Sequence, residues 1–202
     1  MKRNCKRKKR MGGVGSTEAA RLAQLEKCIP DIWSYKRVLY VGANVNRFHF
    51  AGALKRNKCR TDVLEIDRKR CNGLLKKHIW LNRVIHGDVT RVSDLIRGTT
   101  YDMCIWSHGP EIFPKRKIRS TLAHLQEITS GLLVLLAPWG TPVQRDTVHK
   151  FDRGVTELYV SDFIKWGFDA AVLGVVNTVG SNLLGWKYLD ECSEKVEAGQ
   201  ET

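Results

Sequence analysis

Four short segments of the chain carry residues suited to holding a small polar ligand. They are 41–46 (VGANVN), 64–67 (LEID), 86–89 (HGDV) and 107–111 (SHGPE). In the first, Gly42 ends an apolar run, and with no Cβ its backbone can approach a ligand closely. Asn44 and Asn46 tolerate left-handed backbone better than most residues, so they can stand where further glycines usually would. In the second, an acid can accept hydrogen bonds from ribose hydroxyls. Glu65 is preferred for this because it ends the apolar run, whereas Asp67 falls where a helix start favours an acid. In the third, Asp88 offers another carboxylate, with Val89 beside it. In the fourth, Ser107 and His108 follow a strand-like run, and His108 is the candidate general base. A histidine serving only the structure is an equally good reading of the same residue.

Positioning these groups takes a regular alternation of elements, and the sequence supplies one. Arg37–Val41 reads as a β-strand stopped by Gly42. A helical stretch over 48–57 follows, then a strand over 61–66, a helix over 69–78 and a strand over 83–86. A short helix near 93–97 ends at Gly98. A strand over 101–106 comes next, then an amphipathic helix over 118–129 that Gly131 is expected to stop. Leu132–Leu136 is the most continuously apolar strand, so it is expected to be central and buried on both faces. This βαβα order calls for a mostly parallel sheet with helices on both sides. The end differs. Ser161 is expected to cap a short helix over 162–166 closed by Gly167. Two strand-like runs follow, 170–176 and 183–189, joined by about six residues. So short a link fits an antiparallel hairpin and is too short for a helical crossover.

The intervals between the chemical segments match successive βα units: about 23 residues from Gly42 to Glu65, about 23 to Asp88 and about 14 to Asp102. In order and spacing, residues 34–190 resemble the class I S-adenosylmethionine-dependent methyltransferases. The resemblance implies a three-layer αβα fold around a seven-stranded, mostly parallel sheet with one C-terminal antiparallel strand. It implies S-adenosyl-L-methionine as cofactor. Gly42, Ala43, Asn44 and Asn46 would lie beside its methionine part, Glu65 at the ribose, and Asp88 with Val89 at the adenine. Ser107, where the strand over 101–106 opens onto the substrate, is counted with the cofactor-binding residues. His108 stays, on its own chemistry rather than on the resemblance, the candidate base or a substrate ligand. The sequence departs from the family pattern in two ways. Tyr40 replaces the usual acid of the first strand, and Asn44 and Asn46 replace the later glycines. A nicotinamide dehydrogenase is disfavoured, because Gly42–Arg47 lacks the second and third glycines of G-x-G-x-x-G.

The chain has 202 residues, enough for one domain with a substantial core. The expected layout is a basic, disordered tail over 1–15, the methyltransferase-like domain over 16–190 and an acidic, frayed end over 191–202. Ser16 is expected to cap the first helix. Seven of the 13 net positive charges sit among the first ten residues. Such a polycation could grip nucleic acid or another polyanion without reading its sequence. The cationic run 115–119 reads as a solvated helix face or as a holder of an anionic substrate. The six cysteines are scattered, with no C-x-x-C pair and no zinc-ligand spacing, so reduced thiols, a cytoplasmic setting and no bound metal are expected. No apolar run approaches the roughly 20 residues a bilayer demands. With no separate recognition domain, a small-molecule or saccharide acceptor is slightly preferred over RNA. The alternatives are an RNA methyltransferase using the basic tail, and a non-catalytic binding module that kept the fold.

Overall fold

The computed structural model describes residues 18–45, 48–140, 154–174 and 182–189. The expected basic and acidic tails, the Ser16 cap and Asn46 lie outside them, as do the link between the last two strands and Cys5 and Cys192. The elements run α1 (Glu18–Cys28), β1 (Arg37–Val41), α2 (Ala51–Arg56), β2 (Arg60–Glu65), α3 (Arg68–Lys77), β3 (Arg83–His86), α4 (Val92–Leu95), β4 (Tyr101–Ser107), α5 (Lys115–Glu127), β5 (Thr129–Pro138), α6 (Val160–Lys165), β6 (Asp169–Leu173) and β7 (Asn182–Tyr188).

The seven strands form one sheet in the order β3-β2-β1-β4-β5-β7-β6. β1 through β5 pair in parallel, and β7 pairs antiparallel with both β5 and β6. The antiparallel strand expected from the short link is therefore present. It is inserted between β5 and β6 rather than added at the edge.

Strand residues alternate between two cores, as the twofold period of a strand requires. Val38, Tyr40, Met103, Ile105, Leu132 and Val134 face one side, with Leu25, Leu54 and Leu74 from α1, α2 and α3. Leu39, Val41, Cys104, Trp106, Leu133 and Leu135 face the other, with Val92, Ile118, Leu122, Leu125 and Phe163 from α4, α5 and α6. Each fully buried Leu or Ile contributes about 1.5–3 kcal/mol, so both faces are anchored along the middle strands.

Three local expectations are corrected. Gly131 does not stop a helix. It lies inside β5, where a Cβ would fall 2.5 Å from the Tyr35 ring and 2.7 Å from the Asp102 carbonyl oxygen. The helix before it ends at Glu127, and the strand begins two residues later. Ser161 does not cap α6. It lies within the first turn, and Asp162 reaches back to accept the Tyr159 N–H at 3.0 Å. α2 is shorter than the expected 48–57, because Phe50 just before it adopts left-handed backbone with φ 62°.

The edge of the sheet where the strands begin is tied by a saturated polar network. Asp62 Oδ2 accepts from Arg83 Nε at 2.6 Å and from the Tyr101 hydroxyl at 2.7 Å, and Asp62 Oδ1 accepts from Asn82 Nδ2 at 2.6 Å. Arg83 Nη2 donates to the same Tyr101 hydroxyl at 2.9 Å. Burial, together with the Asp62 carboxylate, pushes the Tyr101 phenol up to about 12, so it remains a donor. Asp102 Oδ2 accepts the backbone N–H groups of Lys36 and Arg37, which fixes where β1 starts. Asp102 thus serves the far edge of the sheet, away from the strand end at Ser107.

Candidate functional site

From β1 the chain winds outward to β2 and β3, then returns across the sheet to β4. Strand order reverses between β1 and β4, and at the carboxyl ends of such strands an open α/β sheet leaves a crevice. The two strand ends meet tightly. Gly42 sits at φ 83°, and a Cβ there would lie 2.6 Å from the Ser107 carbonyl oxygen. No other residue type fits without moving β1 from β4.

One cavity opens at this point. Val41, Gly42, Leu64 and Glu65 line it from β1 and β2, and Gly87, Asp88 and Val89 from the turn after β3. Trp106, His108, Ile112 and Phe113 close it from β4 and the turn beyond, and Arg70 enters from α3. Gly42, Glu65, Asp88, Val89 and His108, singled out in the sequence, are thus brought together. Ala43, Asn44 and Ser107 are not among its lining. Ala43 is packed in the core, and Ser107 is buried beneath the rim.

Of the two acids at and just after the end of β2, Asp67 takes the helix-start position expected of it. Asp67 Oδ1 accepts the backbone N–H groups of Lys69 and Arg70, at 2.7 and 3.1 Å, and so caps α3. Glu65 is nearly fully buried, lines the cavity, and accepts the Asp67 N–H at 2.9 Å. Arg70 Nη1 stands 3.9 Å from Glu65 Oε1. Asp88 uses Oδ1 to cap the 3-10 turn over 89–91, accepting from Thr90 N at 2.8 Å. Burial, and then the charges of Glu65 and Asp67, push the Cys71 thiol behind this wall up to about 11, which leaves it unreactive.

His108 holds left-handed backbone, φ 50°, which is uncommon for a residue with a Cβ. Its N–H extends the sheet by donating to Leu136 O at 2.8 Å. Its ring lies 4.9 Å from that of His49, and Nδ1 stands 3.6 Å from Glu111 Oε1. Glu111 is buried, and its carbonyl accepts the N–H groups of Val155 and Thr156, which fold over it.

Around His108, three buried polar atoms lack a well-formed hydrogen bond among the described residues: the Tyr40 hydroxyl, Ser107 Oγ and Glu111 Oε2. Tyr40 takes the place of an acid in the first strand. Burial raises its phenol pKa, and the neighbouring Ser107 hydroxyl and His49 backbone only partly offset that rise. A neutral hydroxyl thus stands where the pattern puts a charge.

Sequence reasoning missed Arg70, Ile112 and Phe113. Arg70 lies five residues beyond Glu65, one turn into a helix whose start was legible, and that spacing was its one signal. Ile112 and Phe113 had none, because only the turn after Gly109 brings them over the pocket. The described cysteines, Cys28, Cys59, Cys71 and Cys104, are all free thiols. Among the described residues, no helix is long and apolar enough to cross a membrane, and no group of three or more His, Cys, Asp and Glu is placed to hold a metal ion.

No family model matches the sequence, and no curated protein matches it. Solved structures do match in fold. Magnesium protoporphyrin IX methyltransferase from Synechocystis, solved with S-adenosylhomocysteine bound, is 13% identical, with a TM-score of 0.59 over 85% of this chain and 82% of that one. The N-methyltransferase NodS from Bradyrhizobium japonicum is 13% identical, with a TM-score of 0.60 over 85% and 96%. An amino pentose methyltransferase from Micromonospora echinaspora, solved with S-adenosylmethionine bound, is 13% identical, with a TM-score of 0.53 over 88% and 92%. The chain therefore has the class I methyltransferase fold.

Proposed function

We propose that the protein transfers a methyl group from S-adenosyl-L-methionine to an oxygen or nitrogen acceptor. One observation carries this reading: Gly42, Glu65, Asp88, Val89 and His108 converge on a single cavity at the switch point of a methyltransferase fold. The donor set fits the cofactor. The buried Glu65 carboxylate suits a pair of ribose hydroxyls, and Asp88 with Val89 suits an adenine edge and face. The Gly42 turn, with the backbone of Ala43 and Asn44, suits the methionine part, and Ser107 follows the cavity-lining Trp106.

The cofactor supplies an electrophilic methyl group. What remains for the chain is alignment of the nucleophile and removal of a proton. His108 stands at the end of β4 with its ring partly exposed, and it takes the role of base. Glu111 faces its Nδ1 and would orient the ring. The four free thiols suit a reducing compartment, the cytoplasm.

A second reading, a binding module without catalysis, draws on Tyr40 in place of the acid and on the glycine-poor loop. Calorimetry with S-adenosylmethionine and S-adenosylhomocysteine tests both. Saturable one-to-one binding of both, with no response to a nicotinamide dinucleotide, supports the cofactor assignment. No binding of either removes the methyltransferase reading. Binding without turnover across an acceptor screen favours the module.

A further inference from the structure

Two helices that start beside the cavity open on runs of cations, although α3 also has the acid Asp67 as its N-cap. α3 opens Arg68-Lys69-Arg70, and α5 opens Lys115-Arg116-Lys117 with Arg119 following, and neither has an acid in its first turn. A helix N-terminus carries partial positive charge, so cations there are repelled and acids are favoured. α1 and α6 obey that preference, with Glu18 and Asp162 in the first turn and Lys27 and Lys165 in the last. Among the described helices, only α3 and α5 open on such runs of cations. They lie on opposite faces of the sheet, so their cations stand on both sides of the cavity mouth.

Two of these cations are answered within the protein. Lys115 contacts Asp162 at 2.5 Å, and Arg70 faces Glu65. Arg68, Lys69, Arg116, Lys117 and Arg119 are exposed, and none of them is ion-paired with a carboxylate among the described residues. Beside the α5 cations lies an aromatic pair. Tyr159, partly exposed, meets Trp139 edge-on at 6.0 Å, just past the end of β5. The Tyr159 N–H bonds Asp162, the residue that Lys115 grips, so the rings adjoin the start of α5.

We propose that this rim binds a single strand of nucleic acid, with phosphates on the two cationic helix starts and a base against Trp139 and Tyr159, so that one nucleotide reaches the cavity. Cations that track a backbone, together with aromatic faces that stack bases, are what strand binding needs. A base inside a duplex would be out of reach of the cavity. This inference rests on the methyltransferase reading and names its acceptor class. It also moves recognition onto the domain itself, where the slight preference for a small acceptor had assumed none.

The test uses the full chain and fluorescence anisotropy with labelled 15-nucleotide RNA, the same sequence as DNA, and its duplex. The variant combines Arg68→Gln, Lys69→Gln, Arg116→Gln, Lys117→Gln and Arg119→Gln. A second protein replaces the lysines and arginines of residues 2–10 with Gln. The rim variant is expected to bind the strand at least about tenfold more weakly, and its plot of log affinity against log salt should flatten by up to about 3.5, near 0.7 for each phosphate no longer neutralised. S-adenosylhomocysteine binding to the same protein should stay within twofold. The three-residue α5 variant and the two-residue α3 variant each give part of the loss, which covers a failure of the full set to fold. RNA against DNA shows which sugar is preferred, and either result supports the rim. Wild-type-like strand binding by the rim variant, binding that only the tail variant loses, or a duplex bound as tightly as the strand overturns the proposal. Loss of S-adenosylhomocysteine binding by the wild type would instead sink the methyltransferase reading.

Discussion

The two edges of the sheet treat buried polar groups in opposite ways. At the amino edge, Asp62, Asn82, Arg83 and Tyr101 satisfy one another, and Asp102 pins the start of β1. At the carboxyl edge, the Tyr40 hydroxyl, Ser107 Oγ and Glu111 Oε2 are buried without a well-formed bond, and His108 holds a strained backbone. A buried polar group left unbonded costs free energy. One edge therefore stabilises the fold, while the other carries a cost in stability next to the cavity. Departures from local rules of this kind concentrate at functional sites.

The largest break of this contrast is Asp62→Ala. It strands a guanidinium and a buried phenol, and about 2–4 kcal/mol of stability should be lost. Chemical denaturation reads that loss, and S-adenosylhomocysteine affinity of the folded protein should not change. A loss below about 1 kcal/mol, the net worth of a single ordinary hydrogen bond, would show that the amino edge is not the structural one. At the other edge, His108→Ala should slow methyl transfer by roughly 100-fold, a range usual for loss of a general base, with cofactor affinity nearly intact. If stability and activity fall together, His108 is structural. If activity is untouched, catalysis here rests on alignment alone.

Glu65→Ala should weaken cofactor binding by about 1–3 kcal/mol, the worth of a charge-assisted hydrogen bond. Calorimetry checks it, and an unchanged affinity in a folded variant would transfer the ribose role elsewhere. The smallest effects form a matched pair. Tyr101→Phe removes a hydroxyl with two partners and should cost about 1 kcal/mol or slightly more. Tyr40→Phe removes one with no well-formed bond and should leave stability unchanged or raise it by up to about 1 kcal/mol. Melting the two variants side by side decides it, since equal losses would erase the difference between the edges.

Much of this was legible in the sequence, and what was not shares a cause. β1 and β3 fall where their β-rich runs lie, 37–41 and 83–86, because Gly42 and Gly87 end them. Glu65 and Asp88 could be singled out because an acid after an apolar run has few other places to go in a parallel sheet. Gly131 misled. A glycine reads as a helix stop from local chemistry, yet here it answers the close approach of Tyr35 and the Asp102 carbonyl, which lie far away in sequence. Arg70, Ile112 and Phe113 were hidden for the same reason, since their place in the site depends on how separate elements meet. The insertion of β7 between β5 and β6 was likewise beyond reach. A short link requires the two strands to be antiparallel, but it does not say which of them meets β5.

Hydrogen exchange of the backbone amides, with and without saturating S-adenosylhomocysteine, tests the distinction between the edges most directly. Residues 41–44, 64–67, 86–89 and 106–109 should gain protection together, while 60–62, 82–83 and 101–102 should exchange as in the free protein beyond any uniform slowing from added global stability. Protection absent from the first set, or gained chiefly by the second, would contradict the account.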